Sequence, residues 1–398
     1  MTELPLSSRP SPRQLVLQLG VASLARMFLN TARRFAYTFA PPLSRGLGVP
    51  LTAITSLIAV NQATGLLGPL LGPLADRWGY RVMLLAGLGM LAGGMLAAGL
   101  LPLYGLVLLA LFLAGLGKTI YDPAVQAYVG QQVPYRRRGL AIGLVEMAWS
   151  GSSLVGIPVM GLLIARVGWR APFVVLGGLG LISLAALAVM LPAPDREARP
   201  VRQRAGFGAA WRALGRERAA LGALGFSLFL SMGNDSLFVV YAAWLENSFG
   251  LGIAALGAAT TVIGLAELAG EGLTASLADR LGPKRALVLG SMASMLNYSL
   301  LPLMDRTLPL ALAGLFLIFL TFEFTIVTGL SLMTEILPGA RATMLSTALA
   351  GASLGRVIGA LLGGLIWLAG GLPAIALATA AITGLALACL VWGLRGWR

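Results

Sequence analysis

The sequence contains no histidine, a single cysteine (Cys389) and few charges, 11% of 398 residues. The missing histidine removes the commonest metal ligand and the side chain that titrates near neutral pH. A lone cysteine excludes a disulfide framework and a thiolate metal cage. Any proton chemistry therefore falls to carboxylates, and neither a metal nor a cofactor is expected. The scarcity of charge is matched by 58% hydrophobic residues and a mean hydropathy of +0.86. Soluble domains are about 45–50% apolar and about 25% charged. A water-soluble globule of this length has nowhere to hide so much apolar surface. A soluble enzyme is excluded, and so is disorder.

Lysine is almost missing too: of 29 basic residues only Lys118 and Lys284 are lysines. The formal charge of +14, taken alone, would suit a nucleic-acid partner, but the bases sit in short clusters between apolar stretches. That is the pattern of a polytopic membrane protein, whose Lys and Arg stay on the cytoplasmic side. No nucleic-acid partner is expected. The polar stretch Met1 to Gln14 lacks the short apolar core and small-residue cleavage site of a signal peptide.

A spanning helix needs ~20 apolar residues. Proline pairs, charge clusters and glycine turns divide the chain into twelve such spans. They cover 15–40, 51–75, 82–101, 104–130, 139–165, 171–191, 219–246, 252–275, 286–303, 308–331, 343–367 and 372–394. With a cytoplasmic N-terminus, twenty bases fall on the inner side and four on the outer: Arg45, Arg166, Arg170 and Arg306. This imbalance puts both termini in the cytoplasm. The longest connection, 192–218, carries three prolines, seven arginines and three acids. It separates six-helix halves at 1–191 and 219–398. Its stretch Phe207 to Leu214 is either an amphipathic surface helix or a solvated tether.

Landmarks repeat at a nearly fixed offset. Asp76-Arg77-Trp78-Gly79 follows span 2, and Asp279-Arg280-Leu281-Gly282 follows span 8, 203 residues later. Val133-Pro134 and Leu337-Pro338 are 204 apart, as are Asn30 and Asn234. The offset indicates two halves related by duplication, an architecture that places a transport site near the midplane between them.

The segment Gly72 to Arg81, reading GPLADRWGYR, resembles the signature between helices 2 and 3 of the major facilitator superfamily, G-x-x-x-D-R-x-G-[RK]-[RK]. A second copy runs from Ser276 to Arg285. With the spans and the duplication, the resemblance covers essentially the whole chain. It implies an all-α integral membrane fold with two pseudo-symmetric six-helix bundles. It also implies a cytoplasmic gate built from Gly72, Asp76, Arg77, Gly79 and Arg81, and from Asp279, Arg280, Gly282 and Lys284. Tyr80 and Pro283 depart from the pattern at its first basic position. Gly156, Pro158 and Gly161 in span 5 resemble the antiporter motif of drug:proton exchangers, with Ile157 inserted between Gly and Pro. In that family the motif accompanies export. Lys118 in span 4 is a loose match to an intramembrane arginine of the same family.

Ionisable groups inside spans cost about 2.5–3.5 kcal/mol each on insertion scales and mark functional candidates. The bases are Arg26, Arg33, Arg34, Lys118 and Arg356; the acids are Asp122, Glu146, Asp235, Glu267, Glu271 and Glu323. Spacings of four, three and four put Arg26, Asn30, Arg33 and Tyr37 on one face of span 1. Asp122 and Glu146 lie at similar depth and can meet an arginine of span 1; Lys118 and Asp122 are an i,i+4 pair. Asp235 and Glu323 have no local partner in sequence. Tyr121, Trp149, Phe238, Tyr241 and Phe322 are candidate cavity aromatics.

The reading reached from these features is a monomeric, multi-pass transporter of the cell membrane. It exports amphipathic small molecules by alternating access, with protons as coupling ion and membrane lipid as its surroundings. An organic anion or lipid-like molecule is the alternative substrate, because the span 1 arginines are unusual for a cation exporter. A membrane-embedded enzyme or assembly factor has little chemistry available.

Overall fold

A computed structural model describes residues 12–71, 78–133, 141, 145–191, 212, 214–337 and 341–396. Every regular element among the described residues is helical. Lipid offers no partner for backbone N–H and C=O groups, so a spanning segment must satisfy them within itself. Among the described residues, eleven helical runs are long and apolar enough to cross a bilayer. They are α1 (Arg13–Thr38), α2 (Leu51–Leu71), α3 (Tyr80–Leu100), α4 (Tyr104–Val129), α5 (Val145–Val167) and α6 (Ala171–Met190). The second set is α7 (Arg218–Phe249), α8 (Ile253–Ala278), α9 (Pro283–Met304), α10 (Leu308–Ile336) and α11 (Thr343–Gly393).

The twelve spans of the sequence reading differ from this at one place. Its last two spans fall in one run, α11, which the non-helical backbone of Gly370 (φ −155°, ψ 15°) and Gly371 (φ 59°, ψ −151°) divides into two helices. The interruption reverses the chain. Gly355, Gly359 and Gly363 in the first arm face Leu228, Met232 and Ser236 of α7 in ascending order. Thr383, Cys389 and Gly393 in the second arm face Gly233, Gly225 and Gly222 in descending order. The arms therefore run antiparallel along α7. Gly371 permits the reversal because a positive φ is strained for any residue with a β-carbon.

Backbone conformations recur at the offset of the sequence landmarks. Gly48 (φ 65°) and Gly250 (φ 63°) are 202 residues apart. Gly79 (φ 82°) and Gly282 (φ 78°), like Gly168 (φ 114°) and Gly371 (φ 59°), are 203 apart. α1 breaks after Thr38 and resumes as a short helix, Ala40–Leu47. α7 breaks at the matching place, between Phe238 and Tyr241. In the first half α3 packs on α4 and α6; in the second α9 packs on α10 and α11.

The gate motif is only partly visible. Gly72, Asp76 and Arg77 lie outside the described residues, as do the side chain of Asp279 and most of the 192–218 connection with its Phe207 to Leu214 stretch. What can be seen is a contact repeated within each half. Arg81 Nη2 donates to the Ala188 carbonyl at the end of α6, at 2.7 Å. Lys284 Nζ, 203 residues later, donates to the Leu394 carbonyl at the end of the second α11 arm, at 2.8 Å. Each base satisfies a terminal carbonyl and sits at the negative end of the helix dipole. Arg280 points outward and is exposed.

In α5 a π-helical turn over Ser152–Gly156 precedes Pro158. Proline cannot donate to the carbonyl four residues back, and the wider turn takes up that misfit. Gly156 lies against Thr31 of α1, and Gly161 against Gly257 of α8. The two halves meet where α5 packs on α8 and where α2 packs on the first arm of α11. The contacts include Gly65 with Ser353 and Gly364 with Thr55. Gly355, Gly359 and Gly363, which repeat every four residues as a small-residue stripe, are not at this boundary; they press on α7 inside the second half.

Candidate functional site

The charges inside the helices gather into two clusters. The first lies within the first half, toward the 192–218 connection. Arg26 on α1 bonds Asp122 on α4 at 3.0 Å and Glu146 on α5 at 2.9 Å. Lys118 reaches the other oxygen of Asp122 at 2.5 Å. Arg26 also donates to the Val145 carbonyl, and Asn30 to that of Ala148. Two bases thus meet two acids, and each base has a carboxylate within hydrogen-bond distance. Glu146 is the outlying member, with 40% of its side chain exposed.

The second cluster lies between the halves around a small cavity. Arg34 on α1 holds Glu267 on α8 through two bonds, 2.6 and 3.2 Å. Ser153 on α5 adds a third at 3.0 Å. Both members of this ion pair are almost wholly buried. The Tyr37 hydroxyl donates to Asp235 at 2.6 Å, and Gln62 donates to the Tyr37 oxygen at 2.6 Å. Arg33 donates to the Gln62 side-chain carbonyl. Arg356 stands 3.7 Å from Asp235, outside hydrogen-bond reach. A chain of polar groups therefore runs from α1 and α2 across to α7 and α11. Asn234, next to Asp235, accepts from Tyr298 and also borders the cavity.

The cavity itself has about 30 Å³ of room for a water-sized molecule. Sites for drug-sized ligands hold about 300–1,000 Å³. The space among the charged groups therefore fits a water rather than a substrate. Trp149, Phe238, Phe319 and Phe322 form its apolar wall. Arg34 lies over the Trp149 ring, 4.4 Å from its centre, a cation–π contact. The halves are also joined by Arg45 with Glu246 at 2.7 Å. A hydroxyl cluster of Thr38, Tyr241 and Thr260 lies beneath it.

Glu323 on α10 stands apart. It is 8% exposed, with no hydrogen bond or ion pair among the described residues. Its carbons lie against Gly270 of α8. The charged groups that act on it are Glu267 and Glu271 on α8, Arg34 on α1 and Arg356 on α11. Glu271 itself faces Ser150 at 3.5 Å.

The expected meeting of Arg26, Asp122 and Glu146 is therefore found, and Asp235 has partners that its sequence neighbours did not reveal. Gln62 and Phe319 were missed. The polar pair Asn61-Gln62 within an apolar span was the available signal for Gln62; Phe319 carried none.

A duplicated helical fold with a charged cavity between its halves invites comparison with known proteins. A family model described as Major Facilitator Superfamily matches residues 22–230 and 223–396. The chain belongs to the Major Facilitator Superfamily. Among its relatives is the MFS-type transporter YceJ of Bacillus subtilis, 26% identical over 296 residues, covering 74% of this chain and 75% of YceJ. Among solved structures, a mutant of the nucleoside transporter NupG superposes with a TM-score of 0.79 at 14% identity. The match covers 95% of this chain and 99% of NupG. A bacterial homologue of the human lysosomal transporter Spinster, inward-facing and unoccupied, gives 0.72 at 17% identity, covering 97% and 95%. This superfamily member is a multi-pass membrane transporter rather than an enzyme.

Proposed function

We propose that this transporter is proton-coupled and exports amphipathic small molecules by alternating access, working as a monomer in a bacterial inner membrane. Residues 1–191 and 219–398 are the halves that rock, 192–218 tethers them, and both termini face the cytoplasm. The observation that carries the reading is Glu323, a buried carboxyl group without a bonded partner beside an aromatic cavity. A lone buried carboxylate is costly, and a proton removes that cost. The proton then shifts the balance between closed and water-filled conformations, provided the two bind it with different affinity. Asp235 is the second candidate, since one oxygen has only a distant arginine. Asp122 and Glu146 are weaker candidates because Arg26 and Lys118 neutralise them.

The export direction rests on the resemblance of Gly156, Pro158 and Gly161 to the antiporter motif, and the amphipathic substrate on the mixture of aromatic and charged lining. The test is transport in proteoliposomes. Glu323→Gln is expected to lose pH-gradient-driven transport while retaining substrate counterflow. If Glu323→Gln, Asp235→Asn, Asp122→Asn and Glu146→Gln each keep full gradient-driven transport, carboxylate coupling is wrong.

A further inference from the structure

The two clusters use arginine differently. Every base in the first has a carboxylate within hydrogen-bond distance. In the cavity only Arg34 does. Arg33 is 8% exposed and lines the cavity, yet its side-chain partner is the neutral carbonyl of Gln62. Its Nε is buried without a hydrogen-bond partner. Arg356 lines the same cavity; its buried Nε makes no hydrogen bond, and its ion pair with Asp235 is long, 3.7 Å. Asp235 faces Arg356 with Oδ2 and accepts the Tyr37 hydroxyl on its other oxygen, Oδ1. Arg33 and Arg356 also repel each other. The cavity lining thus holds three guanidinium groups against two carboxylates.

Buried charges are ordinarily paired, and guanidinium is shaped to grip planar or tetrahedral oxyanions through two N–H groups. We infer that the transported molecule carries an acidic group, which binds between Arg33 and Arg356 while its apolar body rests on the aromatic wall. Arg33 belongs to α1 in one half and Arg356 to α11 in the other, so the anion bridges the halves. That bridge relieves the repulsion between the two arginines, in a conformation whose cavity is wider than the ~30 Å³ seen here. The Arg34–Glu267 pair already carries balanced charge and stays outside the anion site. Glu323, the proposed proton carrier, is a separate group, so the anion and the proton do not compete for one position.

This assignment rests on the cavity being the transport site, but its test is binding and needs no proton gradient. The full chain in nanodiscs is titrated with naphthoate, naphthamide, naphthylmethylammonium and inorganic sulfate, read by calorimetry and by the shift in unfolding temperature. Naphthoate is expected to bind at least about tenfold more tightly than the amide or the ammonium, the worth of a charge-assisted hydrogen bond. It should also exceed sulfate, which has no apolar body. Arg33→Gln and Arg356→Gln should each weaken naphthoate by about tenfold or more, with Arg33→Lys falling between them and the native chain. Arg170→Gln, on a turn away from the cavity, should change nothing. Ammonium binding as tightly as naphthoate, sulfate binding as tightly as naphthoate, or unchanged naphthoate affinity in folded Arg356→Gln would each overturn the assignment. Were Arg33→Gln not to fold, the comparison of carboxylate with amide on the native chain still decides. A failure here leaves Glu323 coupling standing, and a failure of Glu323→Gln to affect transport leaves anion binding measurable.

Discussion

The cluster of Arg26, Lys118, Asp122 and Glu146 belongs to a single half of the molecule. The cavity cluster draws Arg33, Arg34, Tyr37 and Gln62 from the first half, and Asp235, Glu267 and Arg356 from the second, with Glu323 beside it. The first is balanced, and its elements have no reason to separate. The second is left incomplete, with Glu323 alone and Arg33 facing a neutral amide. Buried ion pairs are weak evidence for stability, because desolvation offsets most of the attraction. What distinguishes the clusters is whether alternating access would have to break them. In the proposed cycle, bonds within a half can remain closed, whereas bonds across it would be remade.

The contrast can be broken experimentally. The largest expected effect comes from the seam inside the second half. A β-carbon at Gly355 would run into the Leu228 carbonyl and the backbone of α7. Gly355→Leu is therefore expected to lose folded protein, at a cost of roughly 3 kcal/mol or more, as read by yield and by size-exclusion profile. A well-folded variant trapped in one conformation would instead make this seam part of the moving boundary.

Next comes the cross-half pair. Glu267→Gln leaves Arg34 buried and unpaired, a loss of about 3–5 kcal/mol in the closed state. The unfolding temperature should fall, and cross-linking between α5 and α8 should weaken. Arg34→Gln combined with Glu267→Gln should recover part of that loss, because no lone charge remains. An additive loss in the double variant would deny the coupling.

Asp122→Asn should cost less, about 2 kcal/mol, because its side chain is one quarter exposed and solvent screens the pair. Its signature is lower stability with an unchanged pH profile of transport. A shifted pH profile would move this cluster into the coupling machinery.

The smallest effect belongs to the repeated helix-end contacts. Arg81→Ala and Lys284→Ala should each lose about 1 kcal/mol. The two losses should be similar because both bases cap the last helix of their own half. A much larger loss in one would mean that its half depends on the contact in a way the other does not.

Much of the architecture was legible in the chain. Apolar run length set the membrane spans, because the hydrocarbon thickness fixes how many residues a helix needs. The offset of about 203 residues announced the duplication, and Gly79 and Gly282 then adopted the same positive φ that their place in the repeat requires. The spacing of Arg26, Asn30, Arg33 and Tyr37 gave one face of α1, since helical periodicity is local. That Arg26 and Asp122 would meet was also readable from depth, because a membrane gives every span a common scale.

Partner choice across the fold was decided only by tertiary structure. The stripe of Gly355, Gly359 and Gly363 said that some helix comes close, but not whether it was α7 or one from the other half. Arg33 and Arg34 are neighbours in sequence, yet a helical turn of about 100° between them sends one to Gln62 and the other to Glu267. Asp235 acquired Tyr37 from a helix 198 residues away, while Glu323 acquired no bonded partner among the described residues. Sequence fixes which charges enter the membrane and at what depth, through local periodicity and the cost of burial. Which of them remain unsatisfied depends on how the two halves face each other, and no local signal encodes that contact.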